Sequence, residues 1–297
     1  MKSNVPDELS ADLPQTKWGK ILLATPVVMT VIATLLAGLS SSEMTRAQYD
    51  RSLAAQQQSK AGDQWSFFQA KKLRGAMQRS TLDVLQSTLP VRPLEAAALN
   101  QVGQVDSAAL AALQKGELPE APALMLNPKV QGALEAVENS KPENEIAPLL
   151  ASITEQDLAI ALKAAQDRVQ NFVTALKPSS QAIDRLEKTL ANSASAELSR
   201  DFTAARLRYA AARYDTESRL NQTVANIYEL QVRKSNISAE RHYRRSGKFF
   251  FGMLAAQAAV IIATFSIAAR KRTFLWTIAA VAGLAAIAFA TYVYLFV

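Results

Sequence analysis

Cysteine is absent from this chain, and histidine occurs once, at position 242. The first absence excludes disulfides and thiol chemistry, and the two together exclude a His/Cys metal cluster. Neither a GxxxxGK[ST] nor a GxGxxG phosphate-binding loop is present, and no GxSxG turn could expose a nucleophilic serine. We therefore predict no enzymatic activity, no cofactor, no metal and no small-molecule substrate. His242 lies among arginines just before an apolar segment, where an interfacial charge or hydrogen bond is the favoured interpretation.

Glycine and proline are also absent from the 68 residues between Pro178 and Gly247. One helix over this stretch would extend roughly 100 Å at 1.5 Å per residue. Alternation of apolar and polar residues, the mark of a half-buried strand, has no useful length anywhere. The sequence therefore predicts an all-α fold in which an elongated helical hairpin or coiled coil accompanies transmembrane helices.

Three stretches lack charge over a length sufficient to span a bilayer, namely residues 21–39, 249–269 and 273–297. The first also has features of a cleaved signal peptide, because Lys17 and Lys20 could form its basic region. Its length and the long, partly acidic leader before it favour a retained helix. We accordingly predict three transmembrane helices and a lipid bilayer as the first partner.

Proline positions and composition divide the chain into eight segments. They are a polar tail (1–17), transmembrane helix 1 (18–40), a long helix (41–89), a proline-rich cap of short helices (90–152), a helix (153–177), a long helix that continues into the membrane (179–247), transmembrane helix 2 (248–269) and transmembrane helix 3 (273–297). Within the cap, residues 138–145 are acidic and polar and are predicted to form an exposed loop. Pro178 is expected to end the helix before it, because the residue preceding proline disfavours the α conformation.

Two seams of apolar or small residues predict helix packing. One recurs every seven residues and implies close approach to a neighbouring helix: Ala47, Ala54, Ala61, Phe68, Gly75 and Leu82. The other has steps of four and three: Leu158, Leu162, Ala165, Val169, Phe172 and Leu176. The second seam requires a facing helix, either in this chain or in another copy.

Charge is distributed around the apolar stretches. The formal net charge is +7, yet residues 41–247 hold 26 Lys and Arg against 23 Asp and Glu. Most of the positive excess therefore lies outside residues 41–247. This is typical of membrane-flanking charge and does not favour nucleic acid as a partner. Arg270, Lys271 and Arg272 form the short turn between two spans, and short basic turns favour the cytoplasm. The N-terminus and this turn are therefore predicted in the cytoplasm and the helical domain outside it.

Gln257 is the amide near the middle of the second span. Such a group tends to seek a hydrogen-bond partner on another helix. The favoured interpretation is that it joins the hairpin of spans 2 and 3, and the alternative is that it lines a polar path.

The most distinctive stretch lies in the long helix after the first span. It combines charged, aromatic and amide residues: Asp63, Trp65, Phe67, Phe68, Gln69 and Lys71. These residues could bind a partner, although aromatic residues at such spacing are more often core.

This motif and the basic run 241–245, Gln257 and the turn 270–272 resemble the bacterial membrane proteins grouped as domain of unknown function 4337. The resemblance covers Ile21 to Arg79 and Ala239 to Val297. This sequence differs from the family at Phe68, where tyrosine is usual, and in its N-terminal tail, which lacks the histidines that would suggest a metal. The resemblance implies a bacterial inner-membrane location and three spans, and no mechanism.

The leading functional hypothesis is a non-enzymatic scaffold that self-associates, or binds a partner helical protein, through its coiled-coil domain. A second is an accessory or pore-forming transport subunit with Gln257 on a path between protomers. A third is a membrane signal transducer, because long helices continuous with spans can transmit small shifts.

Overall fold

The structure is a computed structural model that describes residues 17–102, 107–193, 195–268 and 272–296. These residues form eight α-helices and contain no strand. The helices are α1 (Lys17–Thr88), α2 (Ala96–Val102), α3 (Ser107–Lys115), α4 (Pro128–Glu138), α5 (Glu143–Ala151), α6 (Glu155–Ser193), α7 (Ala196–Ala268) and α8 (Arg272–Phe296). The predicted all-α class is confirmed. The polar tail 1–16 lies outside the described residues.

Three of these helices are long and apolar enough to cross a membrane: α1, α7 and α8. The three predicted spans are thereby located in the structure. Span 1 and the long segment after it are one uninterrupted helix, as are the long polar segment before span 2 and span 2 itself. The chain divides into two compact units. We call Met1–Ser52 with Ser235–Val297 the membrane unit and Leu53–Lys234 the helical unit.

The membrane unit is held by small residues that let its helices approach closely. Ala256, Ala259 and Ala263 of α7 are fully buried. A cluster joins the three helices: Ala33, Leu36, Phe249, Ala256, Ala286 and Val293. At Gly283 of α8 an added Cβ would collide with the side chain of Met29 on α1. Helices in lipid depend on such tight packing for their association.

The seam of α6 lies in the core of the helical unit. Phe172 is fully buried and Leu176 nearly so, in a cluster with Phe202 and Tyr209 of α7. The short helices α2 and α3 complete it with Leu99, Ala109, Ala112 and Leu113. The seam that required a facing helix therefore finds one in the same chain.

Pro178 does not end α6, contrary to the prediction, and the helix continues to Ser193. A proline inside a helix costs about 3 kcal/mol. Beyond it, Ile183, Leu186 and Leu190 are buried in the main cluster, and each such side chain contributes about 1.5–3 kcal/mol. The burial of these three residues outweighs the cost of the proline.

The break between the two long helices falls instead at 194–195. Ser195 caps α7, because its hydroxyl accepts a hydrogen bond from the backbone N–H of Leu198 at 3.2 Å. The segments predicted as 153–177 and 179–247 are therefore divided 17 residues later than proline placement suggested.

Another difference concerns the predicted loop 138–145, which is shorter than expected. Helix α4 ends at Glu138 and Ser140 takes a positive φ of 52°. The backbone N–H groups of Ser140 and Lys141 return to the carbonyls of Val137 and Ala136, which is a Schellman ending. Helix α5 then begins at Glu143, inside the predicted loop.

A capping box forms the start of α6. The Thr154 hydroxyl accepts from the backbone N–H of Asp157 at 3.1 Å, and the Asp157 carboxylate accepts from the backbone N–H of Thr154 at 3.1 Å. Hydrogen bonds from the side chain and the backbone of Thr154 lower the pKa of Asp157 below its usual value. The carboxylate form therefore contributes to helix stability at neutral pH, and this contribution is lost as the pH falls through the lowered pKa.

Candidate functional site

The motif on α1 divides between an inward and an outward face. Inward, the indole Nε1 of Trp65 donates to Glu229 of α7 at 2.7 Å. The ring of Phe68 meets the ring of Trp65 edge to face, with centroids 5.3 Å apart. Both aromatic residues are half-buried. They pack α1 within the helical unit, and the tryptophan also satisfies its single donor there.

Lys71 belongs to a charged cluster on the inward side. Its ammonium pairs with the carboxylate of Glu217, a residue only 6% exposed. The guanidinium of Arg213 lies 3.4 Å from the other oxygen of the same carboxylate. Both cations also lie against the ring of Tyr214, at 5.5 Å for Lys71 and 4.8 Å for Arg213. A buried carboxylate between two cations is thus compensated on both oxygens.

One turn further on, Gly75 marks a close approach of α1 to α7. A Cβ at this position would lie 3.1 Å from Oδ1 of Asp215 and 3.4 Å from the Cβ of Tyr214. Asp215 in turn pairs with Arg79 of α1. The seam repeated every seven residues predicted this approach, and its members Ala54, Ala61 and Leu82 are buried.

The outward residues of the motif are Asp63, Phe67 and Gln69, all exposed. Phe67, with 56% of its surface exposed, borders a shallow open groove between α1, α6 and α7. The other lining residues are mostly amides and valines: Gln64, Gln166, Val169, Gln170, Asn221 and Val224. The groove contains no charged residue, so an ionic ligand would find no counter-charge in it.

A second outward feature of α1 follows the motif and was not predicted from the sequence. Leu73, Met77 and Val84 are 63%, 58% and 59% exposed, and Ala70 is also exposed. Positions 70, 73, 77 and 84 follow each other at steps of three, four and seven residues, which places them on one helical face. We call these four residues the outer stripe. Periodicity alone could have found it, but the heptad seam on the opposite face is longer and more regular.

Gln257 lies on the exposed surface of the membrane unit. It neither joins spans 2 and 3 nor lines the interior of the unit, contrary to the favoured interpretation. Its neighbours on the same helical face are also exposed: Phe250, Leu254, Ile261 and Thr264. In the described part of the chain its amide has no hydrogen-bond partner.

A buried polar cluster at the polar ends of spans 1 and 2 joins α1 to α7. Glu43, 8% exposed, lies 2.5 Å from Nδ1 of His242 and 3.7 Å from Arg245. The hydroxyls of Ser40 and Ser246 each donate to the other residue's backbone carbonyl, at 3.0 and 2.8 Å. His242 thus has the interfacial hydrogen-bonding role expected of it. We call these five residues the boundary cluster.

The boundary cluster also reaches α8. Nη2 of Arg245 donates to the backbone carbonyl of Tyr294 at 3.1 Å, near the end of α8, where unpaired helix carbonyls favour a cation. Sequence reasoning missed Glu43 and Arg245 as partners, because they are 202 residues apart and Glu43 belongs to no local motif. Of the basic turn 270–272, Arg270 and Lys271 lie outside the described residues, and Arg272 is described only as the first residue of α8.

Across the ranges that the structure describes, no group of three or more His, Asp or Glu side chains could hold a metal ion. Several ion pairs join different helices, among them Lys71 with Glu217 and Arg79 with Asp215.

Fold and surface define the class of this chain, an all-α protein with three helices able to cross a membrane. Residues 22–118 match the family model described as Domain of unknown function (DUF4337). The match includes the α1 motif, so the resemblance stated for Ile21 to Arg79 is confirmed over those residues. The match also covers the first part of the proline-rich cap, as far as residue 118 just after α3. In total it covers about a third of the chain. The resemblance of residues 239–297 is not covered by the match and stays a prediction. Comparisons with curated proteins and with solved structures gave no match.

Proposed function

We propose that this chain is a non-enzymatic, multi-pass membrane scaffold whose helical unit binds a second copy of itself. The outer stripe of α1 carries the proposal. The seam of α6 is filled within the chain and no longer calls for a second copy, whereas the outer stripe exposes three large apolar side chains on one face. Exposed apolar residues clustered on one face are typical of an interaction site.

The membrane makes a second copy a suitable partner for this stripe. Copies of one chain inserted in the same direction have α1 helices that run parallel, so that each stripe residue can meet its own counterpart. Positions 70, 77 and 84 are seven residues apart and Leu73 lies between them, the spacing of a coiled-coil seam. The stripe would then form a short parallel coiled coil between two chains.

Two lysines in the stripe should therefore dissociate the oligomer. Leu73→Lys/Met77→Lys is expected to convert a defined oligomer of the full-length protein into a monomer, because two charges would be buried at the seam. The measurement is the mass by multi-angle light scattering in a mild detergent, with the detergent contribution subtracted. The matched control is Gln58→Lys/Gln86→Lys, which adds the same charge at exposed positions of α1 that lie outside the stripe.

A monomeric wild-type protein would refute the proposal, and so would a stripe variant that keeps the mass of the wild type. Circular dichroism at 222 nm should be the same for all three proteins, because every substituted position is exposed.

We further propose the bacterial inner membrane as the location, with the helical unit on the extracytoplasmic side. The basic turn 270–272 supports this orientation. Ser140→Cys introduces the only thiol of the chain at an exposed position of the helical unit. We expect it to react with an impermeant maleimide in spheroplasts as fully as after lysis. Protection until lysis would place the helical unit in the cytoplasm.

A further inference from the structure

Gln257 presents an uncompensated amide to the lipid. The side chain is exposed near the middle of span 2 and has no hydrogen-bond partner among the described residues. By contrast, the hydroxyls of exposed threonines in the spans are satisfied within their own helices: Thr30, Thr34, Thr264 and Thr291. Because the bilayer core offers no water, an amide left this way is unfavourable.

The chemistry of the amide limits what can satisfy it. Glutamine carries both a carbonyl acceptor and an NH₂ donor, so two glutamines at equal depth can exchange two hydrogen bonds. Lipid tails offer neither group. A second copy of this chain inserted in the same direction places its Gln257 at the same depth.

The residues around Gln257 fit a helix pair. Phe250, Leu254, Gln257, Ile261 and Thr264 follow each other at steps of four, three, four and three, and all are exposed. This is the spacing of a packing seam between two helices. Three small residues of the same span pack inside the membrane unit instead, because Ala256, Ala259 and Ala263 are fully buried.

From these observations we infer that two copies of the chain pair through this face of α7, with the two Gln257 amides hydrogen-bonded to each other about a two-fold axis normal to the membrane. The inference rests on the proposed function, because it adds an intramembrane contact between copies of the chain. It also assigns Gln257 a positioning role, since the amide pair fixes which face and which depth of α7 meet.

The first test is disulfide cross-linking of the full-length protein in vesicles of phosphatidylethanolamine and phosphatidylglycerol. The chain has no native cysteine, so single substitutions give a clean signal. Thr264→Cys lies on the Gln257 face, and Phe251→Cys lies about 140° around the same helix at 100° per residue. Both positions are exposed. With copper phenanthroline we expect Thr264→Cys to form covalent dimers and Phe251→Cys to form few.

The second test is the dimer dissociation constant in the same vesicles, measured by energy transfer between labelled copies. Gln257→Leu should weaken dimerisation by roughly tenfold, and Gln257→Asn should weaken it less, because it keeps an amide. Leu254→Ile is the control for a change of shape without a change of polarity.

The outcomes separate this inference from the proposal above. Equal cross-linking at 264 and 251, or a Gln257→Leu variant that dimerises like the wild type, overturns the amide pair. If the stripe variant on α1 is monomeric in that case, the scaffold proposal still stands. A wild-type protein that is monomeric in vesicles overturns both, and a Gln257-dependent trimer or larger ring overturns the two-fold pair in favour of a path between several copies.

Discussion

Replacing Phe172 by alanine is expected to lower the free energy of unfolding by about 3–5 kcal/mol, the usual cost of deleting a fully buried aromatic ring. Phe172 has no exposed surface and lies at the centre of the core of the helical unit. The measurement is a urea titration of the full-length protein in detergent, followed by circular dichroism at 222 nm.

The matched control is Ile160→Ala on the same helix. Ile160 is 61% exposed, so its loss should change the stability by no more than about 0.5 kcal/mol. Equal midpoints for the two variants would show that α6 does not pack in the orientation described. A lower midpoint for Ile160→Ala than for Phe172→Ala would show that the two faces of α6 are exchanged.

Replacing Lys71 by methionine should cost about 2–3 kcal/mol. The variant leaves the buried carboxylate of Glu217 without its ammonium partner. The estimate lies below the 3–5 kcal/mol of a fully uncompensated buried charge, because Arg213 remains 3.4 Å from that carboxylate. The same urea titration measures the loss.

The double variant Lys71→Met/Glu217→Met tests the cause. It removes the buried charge together with its partner, so it should recover most of the lost stability. Lys60→Met, at an exposed position of the same helix, is expected to match the wild type. If the double variant is no more stable than Lys71→Met alone, the loss comes from packing of the lysine chain and not from the charge of Glu217.

Periodicity predicted much of this fold, because one repeating face is a local property of a sequence. The seams of α1 and α6 were found in this way, and the seven-residue repeat also predicted the close approach at Gly75. The three apolar spans followed from length and the absence of charge, which depend on no contact at all.

Three of the failures have the opposite origin, since they depend on residues far away in sequence. Pro178 was expected to end a helix because its local cost is large, and burial of Leu186 and Leu190 against distant residues reverses the balance. The boundary cluster could not be predicted from spacing, because Glu43 and His242 are 199 residues apart. Gln257 was recognised as the important amide of its span, but which side of the helix faces its neighbours is decided only by three-dimensional packing.

The boundary cluster has a mechanical consequence. Sliding α1 along α7 by one residue means a shift of 1.5 Å together with a turn of 100°. Such a step would separate Ser40 from Ser246 and Glu43 from His242 at the same time, and it would leave buried polar groups without partners. Sliding by one residue is therefore energetically unfavourable. The two serines and the pair of Glu43 with His242 thus oppose both piston-like and rotary steps of this size between α1 and α7.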